Sequence, residues 1–436
     1  MSAPPAYTAE PPGDLAARRD RVLSASYRLF YSDPVHLVRG EGVWLYDADN
    51  RRYLDAYNNV PSVGHGNPRV VEAMTQQARR LNAHTRYLSD ELVAYAERLL
   101  SFFDPSLDRV ILTCTGSEAN DLAYRMARVF TGGTGAIVTA NAYHGVTGEI
   151  AAISPSLSLD IASSARAVPA PDPRLGDEAG AQFARDVRAA AEDLIASGHR
   201  PAMLLLDTVL SSDGIRPDPI GMFTPAVEAI RELGGLYVAD EVQAGFGRLG
   251  AGMWGFDRHG LVPDLVTLGK PMGNGYPLAG IVTRAEIASI FGRRDRYFNT
   301  FGGTSVAAAV GSAVLDEIVE NGLIASADAV GRQLRTRLRD LAARHPMVGE
   351  VRGAGLFVGV DIVDGNGALD RQRAAAVVDG LRESGVLISA AGPEGATLKI
   401  RPPLVFGTEH AELLLDHLGP VLTALEHGCD ADSGHR

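Results

Sequence analysis

The stretch Asp264-Leu265-Val266-Thr267-Leu268-Gly269-Lys270-Pro271-Met272-Gly273-Asn274-Gly275 runs as an apolar strand that ends on a lysine, held between Gly269 and a Pro/Gly-rich loop. The chain has 41 Lys+Arg, yet only Lys270 and Lys399 are lysine. A guanidinium stays protonated at any usable pH, whereas an amine can lose its proton and attack a carbonyl. A lysine kept at a buried strand end in a chain that otherwise uses arginine is therefore a candidate Schiff-base nucleophile. The plainer reading, a lysine snorkelling from a strand end, is outweighed by the motifs around it.

Upstream of this stretch, strand-like and helix-like segments alternate: Arg109 to Thr113, a helix after Gly116, Ala136 to Thr139, a helix after Tyr143, Ala202 to Leu206 and Leu236 to Val238. Such alternation predicts an α/β fold with a mostly parallel sheet covered by helices on both faces. A first helix is expected over Asp14 to Phe30, with Met1 to Gly13 mobile, and a hairpin around Asp49-Asn50. Tyr57 to Pro68 reads as a polar loop too rich in hydrogen-bonding side chains to be a spacer. After about Val319 the pattern changes to long Arg/Ala/Leu helices with short strands at Gly355 to Val363, Val386 to Ser389 and Thr397 to Arg401. We read residues 1–60 as an N-terminal helix and hairpin, 61–318 as the large domain and 319–436 as a smaller C-terminal α+β domain with a loose tail from His427.

Two motifs carry chemistry, and a third string only mimics one. Thr113-Cys114-Thr115-Gly116-Ser117-Glu118-Ala119-Asn120 passes from strand through a small-residue turn into a helix, so backbone N–H groups at Gly116 and Ser117 converge where an anionic phosphate could sit. A serine N-cap explains that segment equally well on its own. Gly235 to Gln243 is an apolar strand that delivers Asp240 and Glu241 at its C-terminal end, the edge where parallel sheets bind ligands. A carboxylate there, facing a pyridine nitrogen, keeps that nitrogen protonated and the ring electron-withdrawing. Gly245-Phe246-Gly247-Arg248-Leu249-Gly250 matches a dinucleotide string, but the Trp, Gly and Pro residues that follow leave no room for the helix that reading needs.

Composition narrows the rest. A hydrophobic fraction of 46% and a charged fraction of 22% over 436 residues suit an ordinary globular protein with a large core. A net charge of -12 without a basic run argues against nucleic acid, and no apolar run is long enough to span a bilayer. Cys114 and Cys429 make neither a metal spacing nor a disulfide framework, and Met1 to Asp14 lacks the order of a signal peptide. A cytoplasmic protein without a metal or membrane is expected.

Taken jointly, GSEAN, Tyr143-His144-Gly145, the DEVQAGFGR segment, LGKPMGNG, the Asn299-Thr300-Phe301-Gly302-Gly303 turn, RGAGLFVGV and Leu398 to Pro403 resemble the class III (omega) aminotransferases, pyridoxal-phosphate enzymes of fold type I. Within them, YNNVPSVGHGNP and LNAHTRYLSD look most like the branch that holds alanine:glyoxylate aminotransferase and ethanolamine-phosphate phospho-lyase. The resemblance implies pyridoxal 5'-phosphate (PLP) bound through a Schiff base to Lys270, which then moves the substrate proton. It implies Asp240 paired with the ring nitrogen, Gln243 on the ring hydroxyl, Tyr143 stacked on the ring, and Gly116 and Ser117 on the phosphate. Thr300 would join that phosphate from a second subunit, which implies a homodimer with shared sites. Arg401 would grip a substrate carboxylate, with Lys399 beside it at the surface.

Three departures from the family pattern fall where the substrate or its entrance is expected: Asp207 to Asp213 in place of a Glu-Pro pair, Thr304-Ser305 in place of Asn-Pro, and His65-Gly66-Asn67-Pro68 in place of His-Cys-His-Pro. The expected activity is transfer of an amino group from an amino acid or amine to a 2-oxo acid. The alternative is a lyase or β/γ-elimination or replacement enzyme on the same scaffold.

Overall fold

The computed structural model describes residues 12–157 and 160–433. The expected mobility of Met1 to Gly13 lies outside the described residues up to 11, and Pro12 and Gly13 already belong to the first helix, Pro12–Val22. That helix stops well short of Phe30. Ser24 and Ser26 follow, and the Ser24 hydroxyl accepts the Ser26 N–H at 3.3 Å, the local bond by which serine draws backbone out of a helix. At the other end, helix Thr408–Ser433 runs through most of the segment expected to be a loose tail; residues 434–436 lie outside the described set.

Three strands open the chain, β1 (Leu37–Glu41), β2 (Trp44–Asp47) and β3 (Arg52–Asp55). Seven follow: β4 (Arg109–Thr113), β5 (Gly135–Thr139), β6 (Ala165–Val168), β7 (Pro201–Asp207), β8 (Leu236–Asp240), β9 (Leu265–Leu268) and β10 (Ala279–Thr283). The last five are β11 (Val348–Ala354), β12 (Phe357–Ile362), β13 (Val386–Leu387), β14 (Ser389–Ala391) and β15 (Thr397–Ile400).

The seven strands form one sheet in the order β4-β10-β9-β8-β7-β5-β6, in which only β10 runs antiparallel to its neighbours. β5, β8, β9 and β10 are buried along their whole length, as strands covered by helices on both faces must be. Sequence reading missed β10, because its Ala-Gly-Ile-Val-Thr run follows a Gly/Pro-rich loop and reads as part of it. The helix expected after Tyr143 shrinks to one turn, Gly148–Ala151.

Two four-stranded sheets complete the fold. One is antiparallel, β11-β12-β15-β14; the other is β1-β2-β3-β13, with Val386 and Leu387 of β13 beside Leu54 and Asp55. Among the described residues no helix is long and apolar enough to cross a membrane.

Register decides what the site can contain. Asp207 pairs with Asp240 across β7 and β8, and Asp240 with Thr267 across β8 and β9, so two acids and the approach to Lys270 share one strand-end edge. Helix Gly116–Thr131 abuts that edge. A reciprocal cap between Thr115 and Glu118 fixes its start, and Leu122, Ala123, Met126 and Ala127 bury its inner face. Each large apolar side chain so buried contributes about 1.5–3 kcal/mol.

Candidate active site

Asp240 ends β8 with three hydrogen-bonding contacts that hold its carboxylate in place and leave acceptor capacity on Oδ1. Its Oδ1 takes the Val242 N–H at 3.1 Å, while Oδ2 takes the Asn120 side-chain N–H at 2.9 Å and lies 2.7 Å from His144 Nδ1. Asn120 is held in turn by the Thr267 hydroxyl at 2.7 Å, and it donates to the His144 carbonyl at 2.8 Å. His144 Nε2 is buried without a partner. Sequence reading quoted both residues inside motifs but gave neither a role. Their only signal was a polar amide on the buried face of a helix and an imidazole next to Tyr143.

Lys270 begins a short 3-10 turn to Gly273 directly after Gly269. A Cβ at Gly269 would sit 3.3 Å from the Gly116 backbone, so glycine lets the two strand-end loops meet. Burial depresses the Lys270 amine below its ordinary value; Arg401 adds to this, and Asp240 and Asp207 oppose it. The turn is buttressed by the polar loop 57–68. The Ser62 hydroxyl donates to the Pro271 carbonyl at 2.9 Å, and Asn274 accepts from Val63 N–H and donates to the Gly64 carbonyl, both at 2.9 Å.

At the helix N-terminus a third loop closes in. Gly145 has φ +138°, and a Cβ there would lie 2.5 Å from the Ser117 hydroxyl, a position only glycine can fill. The Ser117 oxygen accepts the Val146 N–H at 3.2 Å. Gly116, Ser117, Tyr143, Asp240, Gln243 and Lys270 all line one cavity of about 250 Å³. A larger hollow of about 660 Å³ beside Leu425 has no lysine in its lining, so chemistry rather than size singles out the smaller one.

Two expected site residues lie outside that lining. Thr300 is exposed. Arg401 is buried behind the wall: its Nη1 donates to Gln243 Oε1, its guanidinium stands 4.7 Å from the Tyr57 ring, and its Nε has no partner. Gln243 also donates to the Ser211 hydroxyl. Asp207, on the cavity rim, is pushed up by burial and then by Asp240, although it accepts the Val209 and Ser211 N–H groups at 3.1 and 2.9 Å.

Lys399 corrects an expectation. Far from being a surface residue, it is buried, and its Nζ donates to the Ser211 carbonyl at 3.2 Å and lies 5.6 Å over the Phe357 ring. Burial, then Arg401, holds the amine well below its ordinary value. Alternation along β15 puts residues 397, 399 and 401 on one face, and the loop after β7 roofs that face.

The cavity suits PLP on its own evidence. The helix N-terminus at Gly116 and Ser117 would receive a phosphate, the Lys270 amine would condense with an aldehyde, and the Asp240 carboxylate would keep a ring nitrogen protonated. Comparison with known proteins agrees: residues 30–422 match the family described as Aminotransferase class-III. The chain belongs to that family. This class-III enzyme is PLP-dependent and of fold type I. It is 36% identical over 426 residues to a Drosophila melanogaster protein named alanine--glyoxylate aminotransferase 2-like, covering 93% of this chain and 86% of the relative. It is likewise 36% identical over 439 residues to ethanolamine-phosphate phospho-lyase homolog 1 of Caenorhabditis elegans, covering 94% of each. Among solved structures, a phospholyase from Arthrobacter in complex with phosphoethanolamine superposes with a TM-score of 0.91 at 45% identity, over 94% of this chain and 99% of that one.

Proposed function

We propose that this class-III enzyme is a lyase that acts on a small primary amine whose neighbouring carbon carries an anionic leaving group. The observation that carries this reading is the 45% identity, over nearly the full length of both chains, to a phospholyase, against 36% to relatives named for either activity. The reading ranked second on sequence therefore moves ahead of transamination. Transfer of the amino group to a 2-oxo acid stays the second reading, supported by the aminotransferase-named relative.

PLP, when bound, holds the substrate amine and withdraws electron density from the carbon that bears it. Lys270, Asp240, Gly116 and Ser117 would hold the cofactor, with Tyr143 and Gln243 lining its ring. The Lys270 amine takes the proton from the amine-bearing carbon, a task suited to an amine whose basicity burial has lowered. The bond from the next carbon to the leaving group breaks with its electron pair on the departing anion, which Arg401 attracts. Water then converts the unsaturated amine left behind into a carbonyl compound and ammonia.

The enzyme acts as a homodimer in the cytoplasm on this reading. Thr300 stands exposed between the exposed Phe298 and Phe301, and the His84 ring links Phe298 to the exposed Tyr87, a surface suited to a second copy, and the scarcity of cysteine suits a reducing compartment. The deciding experiment incubates PLP-loaded protein with phosphoethanolamine and no 2-oxo acid. Repeated turnover to inorganic phosphate, acetaldehyde and ammonia is expected. Consumption only when a 2-oxo acid is supplied would transfer the assignment to transamination.

A further inference from the structure

The chain has two lysines: Lys270 is half-buried in the cavity lining, and Lys399 is buried behind it. Lys270 has a role there; Lys399 has none yet. Burying an ammonium is costly unless it is paired and hydrogen-bonded, but Lys399 makes one bond, to the Ser211 carbonyl at 3.2 Å, out of the three its amine can donate. Among the described residues no carboxylate bonds it. Asp207, the acid that acts on it most, is occupied by two backbone N–H groups.

A short relay ties Lys399 to the cavity wall. Gln243 lines the cavity, donates to the Ser211 hydroxyl and accepts from Arg401, while the carbonyl of the same Ser211 accepts from Lys399. Two cations thus stand side by side behind Gln243. Arg401 keeps a buried Nε without a partner, and Arg248, nearby and fully buried, is committed to the carbonyls of Leu356 and Pro402.

A carboxylate has two oxygens, and the fork of one arginine satisfies both. For such a group Lys399 is surplus. A phosphoryl group has a further oxygen and a second charge, and a second cation with spare N–H donors is what it calls for. We propose that Lys399 is a specificity-determining residue: with Arg401 it makes the anion site of this enzyme a receptor for a dianionic phosphoryl group in preference to a carboxylate. This inference rests on the lyase reading and names its leaving group.

The test measures binding without turnover. Inorganic phosphate and acetate are titrated by calorimetry, at matched ionic strength, into PLP-loaded wild type, Lys399→Met and Lys399→Arg. Wild type should prefer phosphate; Lys399→Met should weaken phosphate about tenfold or more and acetate by less than about threefold, and Lys399→Arg should keep most of the phosphate affinity. Equal losses for both anions, an unchanged phosphate affinity in Lys399→Met, or a wild type with no preference would each overturn the assignment. If the methionine variant loses its cofactor, Lys399→Gln, uncharged but still a donor, carries the same comparison. The outcomes separate from the parent reading. Phosphate release from phosphoethanolamine together with an indifferent Lys399→Met sinks Lys399 alone, whereas a discriminating Lys399 in a protein that releases no phosphate sinks the lyase reading alone.

Discussion

Replacing Asp240 with asparagine keeps its shape and removes its charge, which isolates what the carboxylate does for the bound ring. In the wild type Oδ2 receives the Asn120 N–H at 2.9 Å and faces His144 at 2.7 Å, and Oδ1 receives the Val242 N–H at 3.1 Å. An asparagine in the same pose keeps one acceptor but presents an NH₂ to Asn120 or to Val242, so at least one donor is orphaned, and the ring nitrogen loses its anionic partner. A hydrogen bond to a charged group contributes about 1.5–3 kcal/mol, so its loss from the transition state should lower turnover by about 10- to 150-fold. The assay is kcat at saturating amine, normalised to the cofactor content read by absorbance, so that weak PLP binding is not mistaken for slow chemistry. If Asp240→Asn carries a full complement of cofactor and turns over within about threefold of wild type, the carboxylate does not face the ring nitrogen and the pairing argument fails.

Three further outcomes follow from the same geometry. Lys270→Ala should leave no cofactor covalently captured by borohydride and lower turnover by at least about 10²- to 10⁴-fold; mass spectrometry of the reduced protein checks the first point. His259 is buried, accepts the Gly221 N–H at 3.1 Å and has its pKa lowered to about 4, by burial and then by Arg258. Its neutral form therefore adds stability above its ordinary value near 6.5 that is lost as pH falls towards 4, about 2 kcal/mol of it by pH 5, and His259→Asn should show a smaller drop in Tm between pH 7 and pH 5. Asp361→Ala strands Arg352, which otherwise meets Asp361 at 2.6 and 2.8 Å. It should cost about 3–5 kcal/mol, seen as a clear fall in Tm, unless Glu350, 3.1 Å away, takes over the charge.

The sequence disclosed the residues that local pattern places and hid those that tertiary neighbours place. β4 and β9 fall where apolar alternation ends at a small-residue turn, and Lys270 stood out because arginine fills nearly every other basic position. Lys399 was misread, since a lysine next to an arginine on a short strand has nothing in its own neighbourhood to show that a loop almost two hundred residues earlier covers it. Asn120 and His144 were invisible for a related reason. Their value lies in converging on Asp240 from two loops, and no spacing in the chain encodes that convergence. The helix expected after Tyr143 failed because Gly145 must take a left-handed conformation against Ser117, which gives the segment to the cradle instead.

Asp207 to Asp213, one of the three segments read as departures from the family pattern, begins a loop whose position links the cavity to β15. It starts at Asp207 on the cavity rim, passes Ser211 between Gln243 and Lys399, and ends at Gly214 and Ile215, whose carbonyls accept the Arg352 N–H groups. Arg352 is fixed by Asp361 on β12, which also accepts the hydroxyl of Thr397 on β15, the strand that carries Lys399. One loop thus spans the acid edge of the large sheet and the cationic face of the antiparallel sheet. In the role proposed for it, Lys270 removes the same proton in both candidate reactions. They diverge at the next carbon, where elimination requires negative charge to be stabilised on a departing group and transamination does not. If the proposed lyase reading holds, Arg401 and Lys399 on the β15 side of Gln243 would stabilise the departing anion, and a difference in outcome would be built into this loop and β15 rather than into the ring pocket.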